Sequence, residues 1–251
     1  MGALHEGHLQ HFRDLRPDVD LLVASIYVNP RQFGPHEDLA RYPRDLDGDA
    51  RMIEGVGCDI LFAPNDMMMY PPGYATTVTT SGVTDLYEGA IRPDHFRGVT
   101  TIVCKLLNLV RPHLLSLGQK DAQQVAVLTR MIVDLNLDVE LRVVDTIREA
   151  DGLAMSSRNA FLSADERRHA ESLYRALRRG HDVVVSGGSI DQAEEAMREE
   201  ISSEMMIDYC AIVDAETFRP VDAPTPQSVA IVAARIGATR LIDNLPIRRD
   251  G

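Results

Sequence analysis

His5 and His8 stand three residues apart, with Gly7 beside the second, in the run Met-Gly-Ala-Leu-His-Glu-Gly-His-Leu-Gln. Small residues ahead of a short amphipathic stretch predict a tight loop feeding a helix N-terminus. There, unpaired backbone N–H groups and the helix dipole favour an anion. Residues i and i+3 share one face of a helical turn, so both imidazoles can point at one ligand. Imidazole titrates near neutrality and can donate to a phosphate oxygen or carry a proton. The alternative is a pair of surface or internally satisfied histidines at a fraying terminus. The metalloprotease motif does not apply, because it needs His-Glu-x-x-His and the second histidine here comes one residue early.

Three further polar loops, each at the end of a predicted strand, could complete such a site. Asn29 and Gln32 occur in Val28-Asn-Pro-Arg-Gln-Phe33. Gly118, Lys120 and Asp121 occur in Leu117-Gly-Gln-Lys-Asp-Ala-Gln-Gln124. There the glycine admits a ligand to the backbone, the lysine brings a point charge and the aspartate can cap the next helix. Met155-Ser-Ser-Arg158 falls in an inter-domain loop. Taken singly, these are a polar turn, a capped helix start with a surface lysine, and a solvated linker. Together they predict one chemistry.

The elements that must carry these loops are legible from pattern. A helix is predicted over 9–15, an apolar β-branched strand over 20–29, a helix over 45–55 and a short strand over 59–63. A third strand is predicted over 76–80, then a helix over 95–110, a strand over 114–117, a helix over 121–135 and a strand over 138–144. Alternating strands and helices imply a parallel sheet covered on both faces, with ligands at the carboxyl ends of the strands. After about Thr146 the pattern changes. A helix N-capped by Ser163 with Glu166 at the capping-box position leads to a second helix after Gly187-Gly188-Ser189, running to about Glu204. Strand-like runs follow over 207–214, 229–235 and 239–247. The expected architecture is α/β: a Rossmann-like parallel-sheet domain over residues 1–146, followed by a small α+β lid domain over 147–251, hinged near 146–149.

The chain has 251 residues, 45% of them hydrophobic, and a formal net charge of −12. That acidity argues against a nucleic-acid surface, which requires a positive footprint, but not against a small anionic ligand held by a local basic cluster. No apolar run approaches the ~20 residues of a membrane span and no signal peptide opens the chain, so no membrane partner and a cytoplasmic location are expected. The three cysteines, Cys58, Cys104 and Cys210, are widely spaced in apolar surroundings and read as buried free thiols.

The four loops, together with Arg92-Pro-x-His-Phe-x-Gly-Val99 and Ala234-Arg-Ile-Gly-x-Thr-Arg-Leu-Ile-Asp-Asn244, resemble those of the pantoate–β-alanine ligase (pantothenate synthetase) family. The likeness runs in order through the chain. It implies an ATP-dependent ligation of (R)-pantoate and β-alanine to pantothenate through a pantoyl adenylate, releasing AMP and pyrophosphate. It also implies Mg2+ with ATP and a homodimer. By the same resemblance, His8, His5 and Lys120 are the catalytic groups. ATP falls to Met1, Gly2, His5, His8, Gly118, Gln119, Lys120, Asp121, Ile147, Met155, Ser156, Ser157 and Arg158. Gln32, Gln124 and Asn29 are implied for pantoate, Gln32 for β-alanine, and Asp49 or Asp47 for the metal. Neutral amides suit a carboxylate that must stay nucleophilic, since a bidentate arginine would damp it.

Three features depart from the family pattern. Gln119 replaces a glutamate, Gly48 interrupts an acidic pair, and the family carries a first sheet strand ahead of the glycine loop. The resemblance therefore implies a sheet lacking that strand. Two alternatives remain open at this point: another adenylyl or cytidylyl transferase with His-x-Gly-His, or an N-terminally truncated chain that binds nucleotide without efficient catalysis.

Overall fold

In the computed structural model, which describes residues 2–35 and 37–247, helix α1 (Glu6–Leu15) begins directly after His5. It starts three residues earlier than the hydrophobic pattern alone suggests, so Gly7 and His8 lie within its first turn. Leu9, Phe12 and Leu15 recur along one face and bury against Leu22, Ala24 and Ile26.

The apolar run that follows pairs only over β1 (Val23–Ser25), parallel to β2 (Ile60–Phe62), with Ala24 opposite Leu61. The longer strand expected over 20–29 is shortened at its start, where a side chain takes over a backbone N–H, and at its end, where the chain turns. Asp59 Oδ2 accepts from Leu22 N at 2.7 Å. Asn29 caps a 3-10 turn, Pro30–Gln32, by accepting from Arg31 N. Helix α2 (Leu46–Glu54) is capped by Asp45, whose Oδ1 accepts from Gly48 N at 2.9 Å. A Cβ at position 48 would stand 2.7 Å from Asp45 Cγ, so the glycine that interrupts the acidic pair makes room for the cap.

Two short helices, α3 (Asp66–Met69) and α4 (Glu88–Ile91), precede α5 (His95–Val110). The strand expected over 76–80 is absent. Its backbone bonds instead to threonines of α5: Thr101 Oγ1 accepts from Val78 N at 3.0 Å and Thr100 Oγ1 donates to Val78 O at 2.7 Å. Arg111, in the left-handed region at φ 52°, ends α5 one residue before Pro112. Then β3 (Leu114–Gly118) pairs in parallel with β4 (Glu140–Val144) across α6 (Ala122–Asp134). Among the described residues no ladder joins the two parallel pairs, so the continuous sheet expected from the pattern is two pairs. Helix α1 reaches both, with Leu114 beside its apolar cluster and His11 Nδ1 2.6 Å from Ser116 Oγ.

The later part of the chain is α+β. The helix starting at Ser163 is two helices, α7 (Ala164–Ala170) and α8 (Ser172–Val185), and α9 (Ile190–Glu200) starts at Ser189. Both predicted capping boxes form, Ser163 with Glu166 and Ser189 with Gln192. Strands β5 (Met206–Asp214), β6 (Ser228–Ile236) and β7 (Thr239–Pro246) make an antiparallel sheet in that order. Leu173, Leu177 and Val184 of α8 and Met197 of α9 bury against Ile212, Val232 and Ala234 of the sheet.

Two compact units result. One is the chain through Gly118 together with Val127–Val144; the other is Gln119–Ala126 together with the chain from Asp145 onward. A single cut after residue 146 misses Gln119–Ala126. That segment joins the second unit because Asn244 Nδ2 donates to the carbonyls of Gln119 and Lys120, at 2.9 Å each.

Candidate active site

In the first unit, His8 sits in the opening turn of α1, with its ring centroid 4.0 Å from that of His5. The His5 N–H donates to His8 Nδ1 at 3.3 Å. A ring nitrogen that accepts carries no proton, so this contact assigns the His8 proton to Nε2, the tautomer that can donate to a phosphoryl oxygen. The loop before it is bent: Ala3 lies in the left-handed region at φ 52°, unusual for a residue with a Cβ. The Asp49 carboxylate spans that bend, accepting from Ala3 N at 2.9 Å and from Leu4 N at 2.7 Å. Asp49 is buried. Met1, expected among the ATP ligands, lies outside the described residues, whereas Gly2 is buried against Val28. Gly2, Val28, Pro30, Arg44 and Asp49 line a cleft of about 390 Å³.

Gln32 is half-buried at the end of the Pro30–Gln32 turn. Asn29, expected to touch pantoate, is only 2% exposed and is committed to protein partners. Its Oδ1 accepts from Arg31 N and from Tyr70 Oη, and its Nδ2 donates to Gly98 O at 3.1 Å and to Gln32 Oε1 at 3.3 Å. These contacts tie Asn29 to the Gln32 side chain.

The second unit gathers most of the residues implied for ATP. Gln119 Nε2 donates to Asn244 Oδ1 at 2.9 Å, so this side chain supplies a donor to β7. Lys120, with a side chain 21% exposed, lies 3.9 Å from Asp121 Oδ1. Gln124 is half-buried in the first turn of α6. Met155 N donates to Ile147 O at 2.9 Å, closing a loop that brings Ile147 beside the serines. Ser156 caps the turn Ser157–Phe161 through Arg158 N. Asn159 Nδ2 ties that turn back to Glu149 Oε1 at 2.8 Å and to Ala154 O at 3.1 Å.

Residues the sequence did not single out anchor these loops. Arg148 forms a two-pronged pair with Asp243, at 2.6 and 3.0 Å, and its guanidinium lies 3.9 Å from the Tyr174 ring centroid. Asp243 is buried on β7; burial pushes its carboxyl up, against the pull of Arg148 and of the Asn244 N–H. Asp243 and Asn244 close a motif noted in the sequence, but only the fold brings them to the Lys120 loop.

Among the described residues no three His, Cys, Asp or Glu side chains converge as a metal cage. Each Asp49 oxygen accepts a backbone N–H, which makes Asp49 a brace for the glycine loop, whereas Asp47 is exposed. No helix of the described residues is long and apolar enough to cross a membrane.

The first unit carries paired imidazoles at a helix N-terminus, and the second carries a lysine and a Ser-Ser-Arg turn; each set is of the residue types that handle anions. The comparisons narrow this further. The sequence matches the family model described as Pantoate-beta-alanine ligase over residues 1–246. A pantothenate synthetase of Syntrophotalea carbinolica is 53% identical over 97% of this chain and 87% of its own. One of Moorella thermoacetica is 49% identical over 98% and 88%. The crystal structure of a pantothenate synthetase from Thermus thermophilus superposes with a TM-score of 0.96, at 46% identity over 98% of this chain and 91% of that one. A Francisella tularensis pantoate-beta-alanine ligase, described as complexed with beta-gamma ATP and beta-alanine, gives 0.81 at 29% identity over 98% and 87%. The chain belongs to the pantoate-beta-alanine ligase family.

Proposed function

We propose that this chain joins (R)-pantoate to β-alanine through a pantoyl adenylate, releasing pyrophosphate in the first step and AMP in the second. The ligase class, a carbon–nitrogen bond formed with ATP, follows from the family. The local observation that carries the two-step reading is the His5–His8 turn, which puts an N–H donor at a helix N-terminus.

In the first step the pantoate carboxylate attacks the α-phosphorus. Negative charge grows on the equatorial oxygens, so placement and donors matter more than covalent chemistry. His8 Nε2–H donates to those oxygens, with His5 beside it and Gly2 bordering the nucleotide. Lys120 neutralises phosphate charge, while Ser156, Ser157 and Arg158 grip the leaving pyrophosphate. Gly118, Gln119, Ile147 and Met155 frame the adenosine and Asp121 holds ribose. Gln32 and Gln124 hold pantoate, with Asn29 behind Gln32. In the second step the neutral amine of β-alanine, placed by Gln32, attacks the acyl carbon and AMP leaves.

In this proposal Asp47 would be the protein carboxylate for the Mg2+ that accompanies ATP, and the ion would supply screening of phosphate charge. A cytoplasmic homodimer belongs to the same proposal. The test is product analysis. Purified protein given ATP, pantoate and β-alanine releases AMP and pyrophosphate; release of ADP and phosphate would overturn the adenylate route.

A further inference from the structure

Outside the residues assigned to substrates, the first turn of α5 is tied to the pantoate loop at several points. His95 Nδ1 lies 2.9 Å from the Gln32 carbonyl oxygen. A carbonyl only accepts, so Nδ1 carries the proton. Arg92 Nη2 donates to the same oxygen at 3.3 Å. The guanidinium is itself fixed by Glu37, at 2.9 and 2.5 Å, and by Glu88 at 3.7 Å. Gly98 lets the helix lie directly on the loop: a Cβ there would stand 2.7 Å from Gln32 Cα and closer still to the Arg31 carbonyl. Asn29 bridges the two, from Gly98 O to Gln32 Oε1.

We propose that His95 and Arg92 are positioning residues for pantoate, holding the Gln32 main chain from the junction of α4 and α5 so that its amide meets that substrate in one orientation. The inference rests on the reading of Gln32 as a pantoate ligand. A loop residue held at its carbonyl and at its side-chain oxygen has little freedom to lose on binding, so its contact is worth more. The charged groups around His95 are Arg92, Glu88 and Glu37; burial, then Arg92, pull its imidazole down to about 4, which keeps it a neutral donor near pH 7.

The test is pantoate-dependent ATP–pyrophosphate exchange, with KM measured separately for pantoate and ATP. His95→Phe removes the donor and is expected to raise the pantoate KM roughly tenfold, leaving the ATP KM unchanged. His95→Asn, whose side-chain N–H falls near the position of Nδ1–H, restores most of it. Arg92→Lys keeps the charge facing Glu37 and Glu88 but loses the fork; it carries the test if His95→Phe fails to fold, with a smaller rise expected in the same KM. Combined with Gln32→Ala, His95→Phe adds nothing further.

A pantoate KM unchanged in His95→Phe and Arg92→Lys, but raised in Gln32→Ala, overturns the inference and leaves the reading of Gln32 standing. An unchanged KM in Gln32→Ala overturns both. An effect of His95→Phe that persists in full without the Gln32 side chain also overturns the inference, because it would not run through Gln32.

Discussion

Gln119 and Asn244 hold each other twice: Gln119 Nε2 donates to Asn244 Oδ1, and Asn244 Nδ2 donates to the Gln119 carbonyl, both at 2.9 Å. The same Nδ2 also donates to the Lys120 carbonyl. Asn244→Ala strips partners from two carbonyls and one amide, at a cost of about 1–3 kcal/mol. Turnover should fall about ten- to hundredfold as Lys120 loses its placement. Thermal melts and steady-state rates check this, and wild-type values in both would dismiss the clamp. Gln119→Glu turns a carboxylate toward Asn244 Oδ1. It should lower stability by about 1 kcal/mol unless the Asn244 amide flips.

Asp49 distinguishes a brace from a metal ligand. Asp49→Asn sets an amide donor against one of two backbone N–H groups at the strained Ala3 bend. A destabilisation of about 1–3 kcal/mol is expected, with turnover at least tenfold lower. A magnesium titration is the discriminating measurement: a brace variant stays slow at every concentration, whereas recovery at high Mg2+ would assign Asp49 to the metal.

His8→Ala removes the positioned N–H donor, and turnover should drop about 10²–10⁴-fold with little change in melting temperature. Pyrophosphate exchange locates the loss in the adenylation step. An unchanged exchange rate would return His8 to a plain helix-start residue.

His95 gives a pH signature in stability. Its folded-state value is lowered from 6.5 to about 4, so between these values the unfolded chain binds more protons than the folded one. The contribution is therefore fully present above pH 6.5 and is lost as pH falls toward 4, about 3 kcal/mol in all. Denaturant titrations at about pH 7 and about pH 4.5 should show this loss in the wild type and a smaller one in His95→Asn. Parallel losses in the two would show that other groups carry the acid sensitivity.

What was legible in the sequence follows from what each signal depends on. Local signals held: α5 spans the expected 95–110, and Ser163 and Ser189 cap the helices they were read to start. Strand signals held where a partner strand exists, as in β5, β6 and β7, and failed where side chains compete for the backbone. Val78 looks like a strand residue but bonds to Thr100 and Thr101. Its apolar, β-branched pattern carries no information about a helix hydroxyl 22 residues away. The chemically suggestive loops were legible from residue type and spacing. Their supports were not, because Asp49, Arg148, Asp243, Asn244 and His95 act on backbone or side-chain groups between 45 and 125 residues distant. Asn29 was legible as important but not as buried, since no local pattern records that Tyr70 and Gly98 close around it.

The clamp between Gln119 and Asn244 also imposes an order on biosynthesis. The loop carrying Lys120 is made 125 residues before the side chain that fixes it. Until those residues are added, the carbonyls of Gln119 and Lys120 lack the Asn244 amide that donates to both in the folded chain. The setting of Lys120 is thus completed late, once β7 has emerged, so a stalled or prematurely ended nascent chain would carry the lysine without it.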